Sequence, residues 1–394
     1  KMDNGHPKIK PSKRTELVQE YYFSHKLRQI AEMREAGLDI INLGIGSPDL
    51  PPTAAVIEKL GESAKLPNVH GYQSYNGIPA LRNAFAEWYA KYFHVSLNPA
   101  TEILPLIGSK EGIMHISMAF VNENDEVLVP NPGYPTYTSV SKLTGAKVRF
   151  YNLKESQNWY PDLQELENSD LSKVKIMWVN YPHMPTGTKG SKKLFEDLVA
   201  FAHKHTILLV NDNPYSFILN DEHLSILSVD GAKDVALELN SMSKSHNMAG
   251  WRIGMVAGHA EYIQSIVKVK SNMDSGTFQP MQLAAVEALK SNDDWYAENN
   301  KIYSSRRKLV EEIMHKLNCT FDASQTGMFV WGKIPADYST GEELTEEILH
   351  KANVFITPGM VFGDQGNQYV RISLCANEQM LNKALDRLSE MYDV

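Results

Sequence analysis

Short apolar runs separated by helix-length segments dominate the middle of the chain. The runs fall at 127–129, 148–151, 174–179, 207–210, 235–239 and 253–257, with stretches such as 194–205 between them. Strands alternating with helices predict an α/β domain whose mostly parallel sheet is flanked by helices and binds ligands at the carboxyl ends of its strands. Upstream, Leu17, Tyr21, Leu27, Ile30 and Ala31 recur at near-helical spacing and predict a helix over 16–36, closed by Gly37 where a left-handed cap is wanted. A short strand from Ile40 runs into a Gly/Pro-rich loop ending at Pro52. Pro79 opens a helix carrying Leu81, Phe85, Trp88 and Tyr89. A strand at 103–107 passes through Gly108, Ser109 and Lys110 into a helix reaching about Val121. After Gln282 the pattern changes to longer helices with strands at 329–332, 354–357 and 369–374, which predicts a smaller α+β domain. The expected division is an N-terminal arm and helix at 1–45 that joins the small domain, a large domain at 46–282, and the small domain at 283–394.

A chain of 394 residues exceeds the size at which one core keeps growing, so two domains and a cleft are expected. Hydrophobic residues make up 43% and charged residues 22%, an ordinary globular balance that excludes a largely disordered chain. The net charge of -8, with no long Lys/Arg block, argues against nucleic acid or an anionic membrane as the main partner and leaves small molecules. Cys319 and Cys375 are the only cysteines, too few for a framework of bridges, which fits a reducing, cytoplasmic setting. No apolar stretch approaches the roughly 20 residues of a membrane span, and residues 1–14 read as a polar, flexible arm without the core of a secretion signal. The histidines form no metal set. His203 and His205 read as a solvated helix end beside the negative end of its dipole.

The chemistry concentrates between Ser241 and Gly254. Lys244 stands there among hydroxyls and glycines, eight residues before Arg252, in what reads as a loop between two strands. A lysine held among small residues beside another cation has a lowered pKa and supplies the free amine that forms a Schiff base. Arg252 with Ser241 and Ser243 suits a phosphate. Lysine plus phosphate cradle suggests pyridoxal phosphate, against the bland alternative of a solvated lysine in a Gly/Ser-rich loop. Gly108 and Ser109 at a helix N-terminus offer a second phosphate site, or merely a tight connection. Gly44 and Gly46 give only a weak dinucleotide signal, because the third glycine is missing and no helix opens next. Tyr134, Asn180, Asp212, Tyr215 and Lys244 cluster at strand ends. Arg371 sits on an alternating apolar strand, where an unpaired cation is costly, so it needs a carboxylate from a salt bridge or from a substrate.

In this order the pieces resemble the fold-type-I pyridoxal-phosphate-dependent aminotransferases of class I/II, across roughly Ile40 to the C-terminus. The matching stretches are Ile45-Gly46-Ser47-Pro48-Asp49, Tyr72 five before Gly77, Gly108-Ser109-Lys110, Asn131-Pro132-Gly133-Tyr134-Pro135, Asn180-x-Pro182 with Pro185-Thr186-Gly187, Asp212-x-x-Tyr215, Ser241-x-Ser243-Lys244 with Gly250-x-Arg252-x-Gly254, and Arg371-Ile372-Ser373. The resemblance implies that Lys244 holds the cofactor as an imine and shuttles the substrate proton, that Asp212 faces the pyridine nitrogen, and that Tyr215 donates to the phenolic oxygen. It implies that Tyr134 stacks on the ring and that Asn180 lies at the cofactor. Gly108, Ser109, Lys110, Ser241, Ser243 and Arg252 would bind the phosphate, with Tyr72 reaching across from the second subunit of a homodimer. Gly46 and Arg371 would bind the substrate α-carboxylate of an amino acid or 2-oxo acid.

One position departs from the family pattern. Where the family has Asn directly before Pro-Thr-Gly, contacting the phenolic oxygen and the carboxylate, this chain has Met184, whose thioether donates no hydrogen bond. His183 and Asn180 are the candidates to stand in for it. The expected function is amino transfer between an L-amino acid and a 2-oxo acid. A C-S lyase or decarboxylase on the same cofactor apparatus is the alternative, and a non-catalytic regulator the third, opposed by the near-complete catalytic set.

Overall fold

The computed structural model describes residues 7–393. The first regular element is a 3-10 turn, Lys13–Leu17, followed by extended chain and the helix Tyr22–Glu35. The helix expected from residue 16 thus begins later. Leu17, Tyr21 and Leu27 are exposed, whereas Ile30 is buried. Gly37 takes φ 94, as its place after the helix end requires. The chain then forms β1 (Ile41–Asn42).

Seven strands follow: β2 (Ile103–Leu106), β3 (Glu126–Asn131), β4 (Lys147–Asn152), β5 (Val174–Val179), β6 (Leu208–Asp212), β7 (Ala236–Ser241) and β8 (Gly254–Gly258). They make one sheet in the order β2-β8-β7-β6-β5-β3-β4, in which only β8 runs against its neighbours. Side-chain alternation sends Val127, Val129, Ile176, Trp178, Val210 and Leu239 into one buried cluster, and Leu128, Met177, Val179 and Leu209 into another. Both faces are therefore apolar, which is why these strands read as near-continuous hydrophobic runs. Helices Ser109–Phe120 and Ala260–Lys270 cover the first face; Pro79–Phe93 and Lys192–His205 cover the second.

The remaining strands are β9 (Thr320–Phe321), β10 (Phe329–Lys333), β11 (Val354–Phe355), β12 (Thr357–Pro358) and β13 (Tyr369–Ser373). An antiparallel sheet in the order β12-β13-β10-β9 puts Arg371 opposite Trp331 on one side and Thr357 on the other. β1 pairs in parallel with β11, and Ile30 and Ile40 pack with Leu349 and Phe355, which binds the N-terminal segment to this part of the chain. The expected boundary at Gln282 falls inside the helix Gln279–Leu289, which packs on Ala54–Ala64 and Pro79–Phe93. His203 and His205 close the helix Lys192–His205, bonded to the Gly231 carbonyl at 3.0 Å and to Glu167 at 2.8 Å. Among the described residues no group of side chains could hold a metal ion, and no helix is long and apolar enough to cross a membrane.

Candidate active site

The carboxyl ends of the parallel strands open into a cavity of about 780 Å³. Gly46, Ser109, Lys110, Tyr134, Asn180, Asp212, Tyr215, Ser241, Ser243, Lys244, Arg252 and Arg371 line it, together with Met184. Gly108 sits behind them: a Cβ there would run into the Arg252 guanidinium. Tyr72 is not part of this lining and is 93% exposed.

Lys244 is carried by a one-turn helix, Met242–Ser245, and not by the irregular loop its composition suggests. β7 ends at Ser241, whose hydroxyl caps the turn by accepting the Ser243 N–H at 3.0 Å. The ammonium donates to the Gly46 carbonyl. Burial brings it down to about 8; Arg371 and Arg252 add to the fall while Cys375 opposes it. About a tenth of the side chain is therefore free amine at pH 7, against well under a thousandth for an ordinary lysine.

Asp212 ends β6. Its Oδ2 accepts the Tyr137 hydroxyl at 2.6 Å, and its Oδ1 is buried without a partner. Burial pushes the carboxyl up to about 6, with the charge of Glu238 on the adjacent strand adding to the rise and the Tyr137 bond restraining it. Tyr215, three residues on, lines the cavity with its hydroxyl pKa raised by burial. Asn180 uses its amide on the backbone: Nδ2 donates to the Asp212 carbonyl at 2.6 Å and Oδ1 accepts the Met184 N–H at 2.8 Å.

Arg371 is buried in β13 with its guanidinium 3.8 Å from the Phe329 ring centroid and 4.8 Å from that of Phe362. Nη2 donates to the Gly44 carbonyl at 2.7 Å, Nη1 lies 3.3 Å from Met184 Sδ, and Nε has no partner. Burial lowers its pKa to about 10. Among the described residues no carboxylate pairs with it, so the salt-bridge alternative finds no support. His183 does not stand in for the missing amide, because it is not part of the cavity lining; its Nδ1 is taken by Thr186 at 2.7 Å, and burial lowers the ring pKa to about 3.

The opposite end of the cavity suits an anion. The twelve-residue helix Ser109–Phe120 points its N-terminus there, and Arg252, Ser241 and Ser243 converge on it. Gly108 takes φ 80, and both it and Gly254 leave room that a side chain would fill: a Cβ at Gly254 would lie 2.9 Å from the Ser109 nitrogen. Lys110 turns to the rim, its ammonium 4.9 Å from the Tyr21 ring centroid.

Two contributions were not read from the sequence. Tyr137 orients Asp212, though its place three residues after Tyr134 was a usable signal. The rim is formed by the extended stretch between the Lys13–Leu17 turn and Tyr22, where the Tyr21 hydroxyl lies 3.1 Å from Thr136 Oγ1. No local pattern shows that contact, which spans 115 positions.

The family model for aminotransferase class I and II matches residues 38–388. The chain belongs to the class I and II aminotransferases. This aminotransferase is 41% identical over 383 residues to the LL-diaminopimelate aminotransferase of Dehalococcoides mccartyi strain BAV1, covering 97% of this chain and 98% of that one. It is 40% identical over 388 residues to the LL-diaminopimelate aminotransferase of Maridesulfovibrio salexigens, covering 98% and 100%. Among solved structures it is similar to apo-BacF from Bacillus subtilis, with TM-score 0.93 and 32% identity over 98% of both chains. It is also similar to a Thermus thermophilus aspartate aminotransferase single mutant, with TM-score 0.90 and 26% identity over 97% and 100%. The aminotransferase thus has the fold-type-I architecture, uses pyridoxal phosphate, and acts on amino and 2-oxo acids. The residues present fit that cofactor: the orphaned Asp212 Oδ1 suits a protonated ring nitrogen, the Gly108 and Arg252 cradle suits a phosphate, and Lys244 supplies the amine.

Proposed function

We propose that the aminotransferase exchanges amino groups through Lys244, with Arg371 as the anchor of the substrate α-carboxylate. Bound pyridoxal phosphate supplies the electron sink that stabilises negative charge at a substrate Cα. Lys244 would hold the cofactor covalently and, once displaced, would take the proton from the substrate Cα as a base and deliver it as an acid to the cofactor's C4′, a task suited to an amine with a pKa of about 8. Asp212 Oδ1 keeps the ring nitrogen protonated, Tyr137 fixes that carboxylate, and Tyr215 donates to the phenolic oxygen. The backbone of Gly108, Ser109 and Lys110, the hydroxyls of Ser241 and Ser243, and Arg252 hold the phosphate, Tyr134 packs on the ring face, and Asn180 orients the strand ends. Gly46 assists Arg371 at the carboxylate.

The observation that carries this reading is Arg371: a buried guanidinium without an anionic partner among the described residues, on the wall of the cavity that also holds Lys244. The relatives point to an LL-diaminopimelate-type donor, an amino acid with a second amino-acid head at its far end. Lys110 and Lys142 on the lining give the outer end positive charge, which suits the distal carboxylate of such a donor, while the Glu20 carboxylate there is taken by Arg28. The test is the half-reaction with LL-diaminopimelate, glutamate, aspartate and alanine, followed by the cofactor spectrum. LL-diaminopimelate should react fastest; a faster simple monocarboxylic donor would overturn the substrate assignment.

Tyr72 is placed in this reading at the phosphate of a second copy, which accounts for a tyrosine 93% exposed in one chain, and the working unit is a homodimer. The large seven-stranded body and the smaller antiparallel one act as two lobes around the cavity. Two free cysteines accord with a cytoplasmic enzyme.

A further inference from the structure

A buried charge cluster lies behind the phosphate turn and takes no part in the chemistry above. Lys270, last residue of the helix Ala260–Lys270, is 2% exposed; its ammonium donates to Glu111 Oε1 at 2.8 Å and to Asp274 Oδ2. A cation so buried is costly unless it is paired. Each partner also carries a bond outward. Glu111 Oε1 accepts the Ile107 N–H at 2.7 Å, immediately before Gly108, and Oε2 lies 3.3 Å from His115 Nε2. Burial would raise the Glu111 carboxyl, but His115, Lys270 and the Ile107 N–H together hold it at about 2. Asp274 Oδ1 accepts the Gly276 N–H at 3.0 Å. Gly276, at φ 86, packs so tightly on Gln73 that a Cβ would lie 2.5 Å from the Gln73 carbonyl, and the Gln73 N–H donates to the Ser275 carbonyl at 3.3 Å. Gln73 directly follows Tyr72.

We propose that Lys270 is a positioning residue that ties the phosphate turn at 107–109, through Glu111, to the segment bearing Tyr72, through Asp274. One ammonium makes both bonds, so a shift of either carboxylate strips the buried Lys270 of one of its two partners. The turn that shapes a chain's own phosphate site is thereby held in register with the tyrosine it offers to its neighbour's. This rests on the assignment of the turn and of Tyr72 to the phosphate. A cluster that only fastened two helices together would affect unfolding and leave the bound phosphate untouched.

The test compares the holoenzyme with Lys270→Met, Lys270→Arg and Asp274→Asn. The readouts are cofactor release on dilution, the ³¹P resonance of the bound phosphate, and thermal unfolding. Lys270→Met should release cofactor about tenfold faster or more and move the ³¹P resonance, while Lys270→Arg, which can still pair both carboxylates, should stay within about threefold of the parent. Asp274→Asn keeps the Lys270 to Glu111 pair and loosens only the Tyr72 side; it should release cofactor at least about threefold faster, and it carries the test if Lys270→Met does not fold. Lower thermal stability with release and ³¹P resonance unchanged would overturn the proposal. Borohydride reduction separates the two levels: a pyridoxyl group on Lys244 with unchanged release defeats only the tie, whereas no label on Lys244 defeats the reading beneath it.

Discussion

Arg371 Nη1 lies 3.3 Å from the sulfur of Met184, so a soft thioether occupies the place where the family carries an amide. The sulfur is a weak acceptor and offers nothing to a substrate carboxylate. The guanidinium fork is left as the main anchor.

Arg371→Lys should therefore be unusually damaging. Lysine keeps the charge and loses the paired donors, and hydrogen bonds to charged groups contribute about 1.5 to 3 kcal/mol each. We expect kcat/KM for the amino donor to fall by about a hundredfold or more with the cofactor spectrum unchanged. Donor kinetics within a few-fold of the parent would show that another group binds the carboxylate.

Met184→Asn restores an amide beside that fork. KM for small amino donors should drop several-fold, as a donor is added next to Arg371 at the cavity wall. A KM that stays the same or rises would place the carboxylate away from residue 184.

Asp212→Asn separates binding from chemistry. The amide keeps the shape and the bond from Tyr137 but loses the charge that holds a ring proton, so turnover should fall by orders of magnitude while the cofactor is retained. Near-normal turnover would remove the role. The cofactor-free protein gives a second check. Its Asp212 carboxyl is raised to about 6 from 3.8, so its contribution to stability is full below pH 3.8 and is lost as pH climbs through about 6. Asp212→Asn should accordingly raise the melting temperature of the cofactor-free form at pH 8 by a few degrees, by about half as much at pH 5, and hardly at all below pH 3.8.

The free amine of Lys244 should govern cofactor capture. Its pKa, lowered from 10.5 to about 8 chiefly by burial, predicts that the capture rate of cofactor-free protein rises with pH to a midpoint near 8. Arg371→Met removes one neighbouring cation and should move that midpoint upward. Stopped-flow capture across pH 6.5 to 9.5 checks both; a midpoint near 10 would mean that the amine is solvated.

Much of the site could be read from the chain because its pieces are local. Lys244 among serines, Asp212 three before Tyr215, and Gly108 before a helix each announce their chemistry within a few positions. Arg371 on an apolar strand posed the right question, but only the fold shows that no carboxylate of the described chain answers it. What stayed hidden is long-range. The reversal of β8, the Tyr21 rim over Thr136, and Lys270 joining Glu111 to Asp274 depend on contacts between segments whose own patterns look ordinary. The helix expected from residue 16 failed for a related reason, since the stretch around Tyr21 serves the rim of the cavity and not a helix face.

The central claim is that Lys244 carries the cofactor in a cavity whose far wall holds an arginine paired with no carboxylate of the described residues. Borohydride reduction of the holoenzyme followed by peptide mapping tests it most directly. The account predicts a pyridoxyl group on Lys244, and in Lys244→Ala a cofactor that is bound but not fixed by reduction. A pyridoxyl group on any other lysine, Lys110 included, would contradict it.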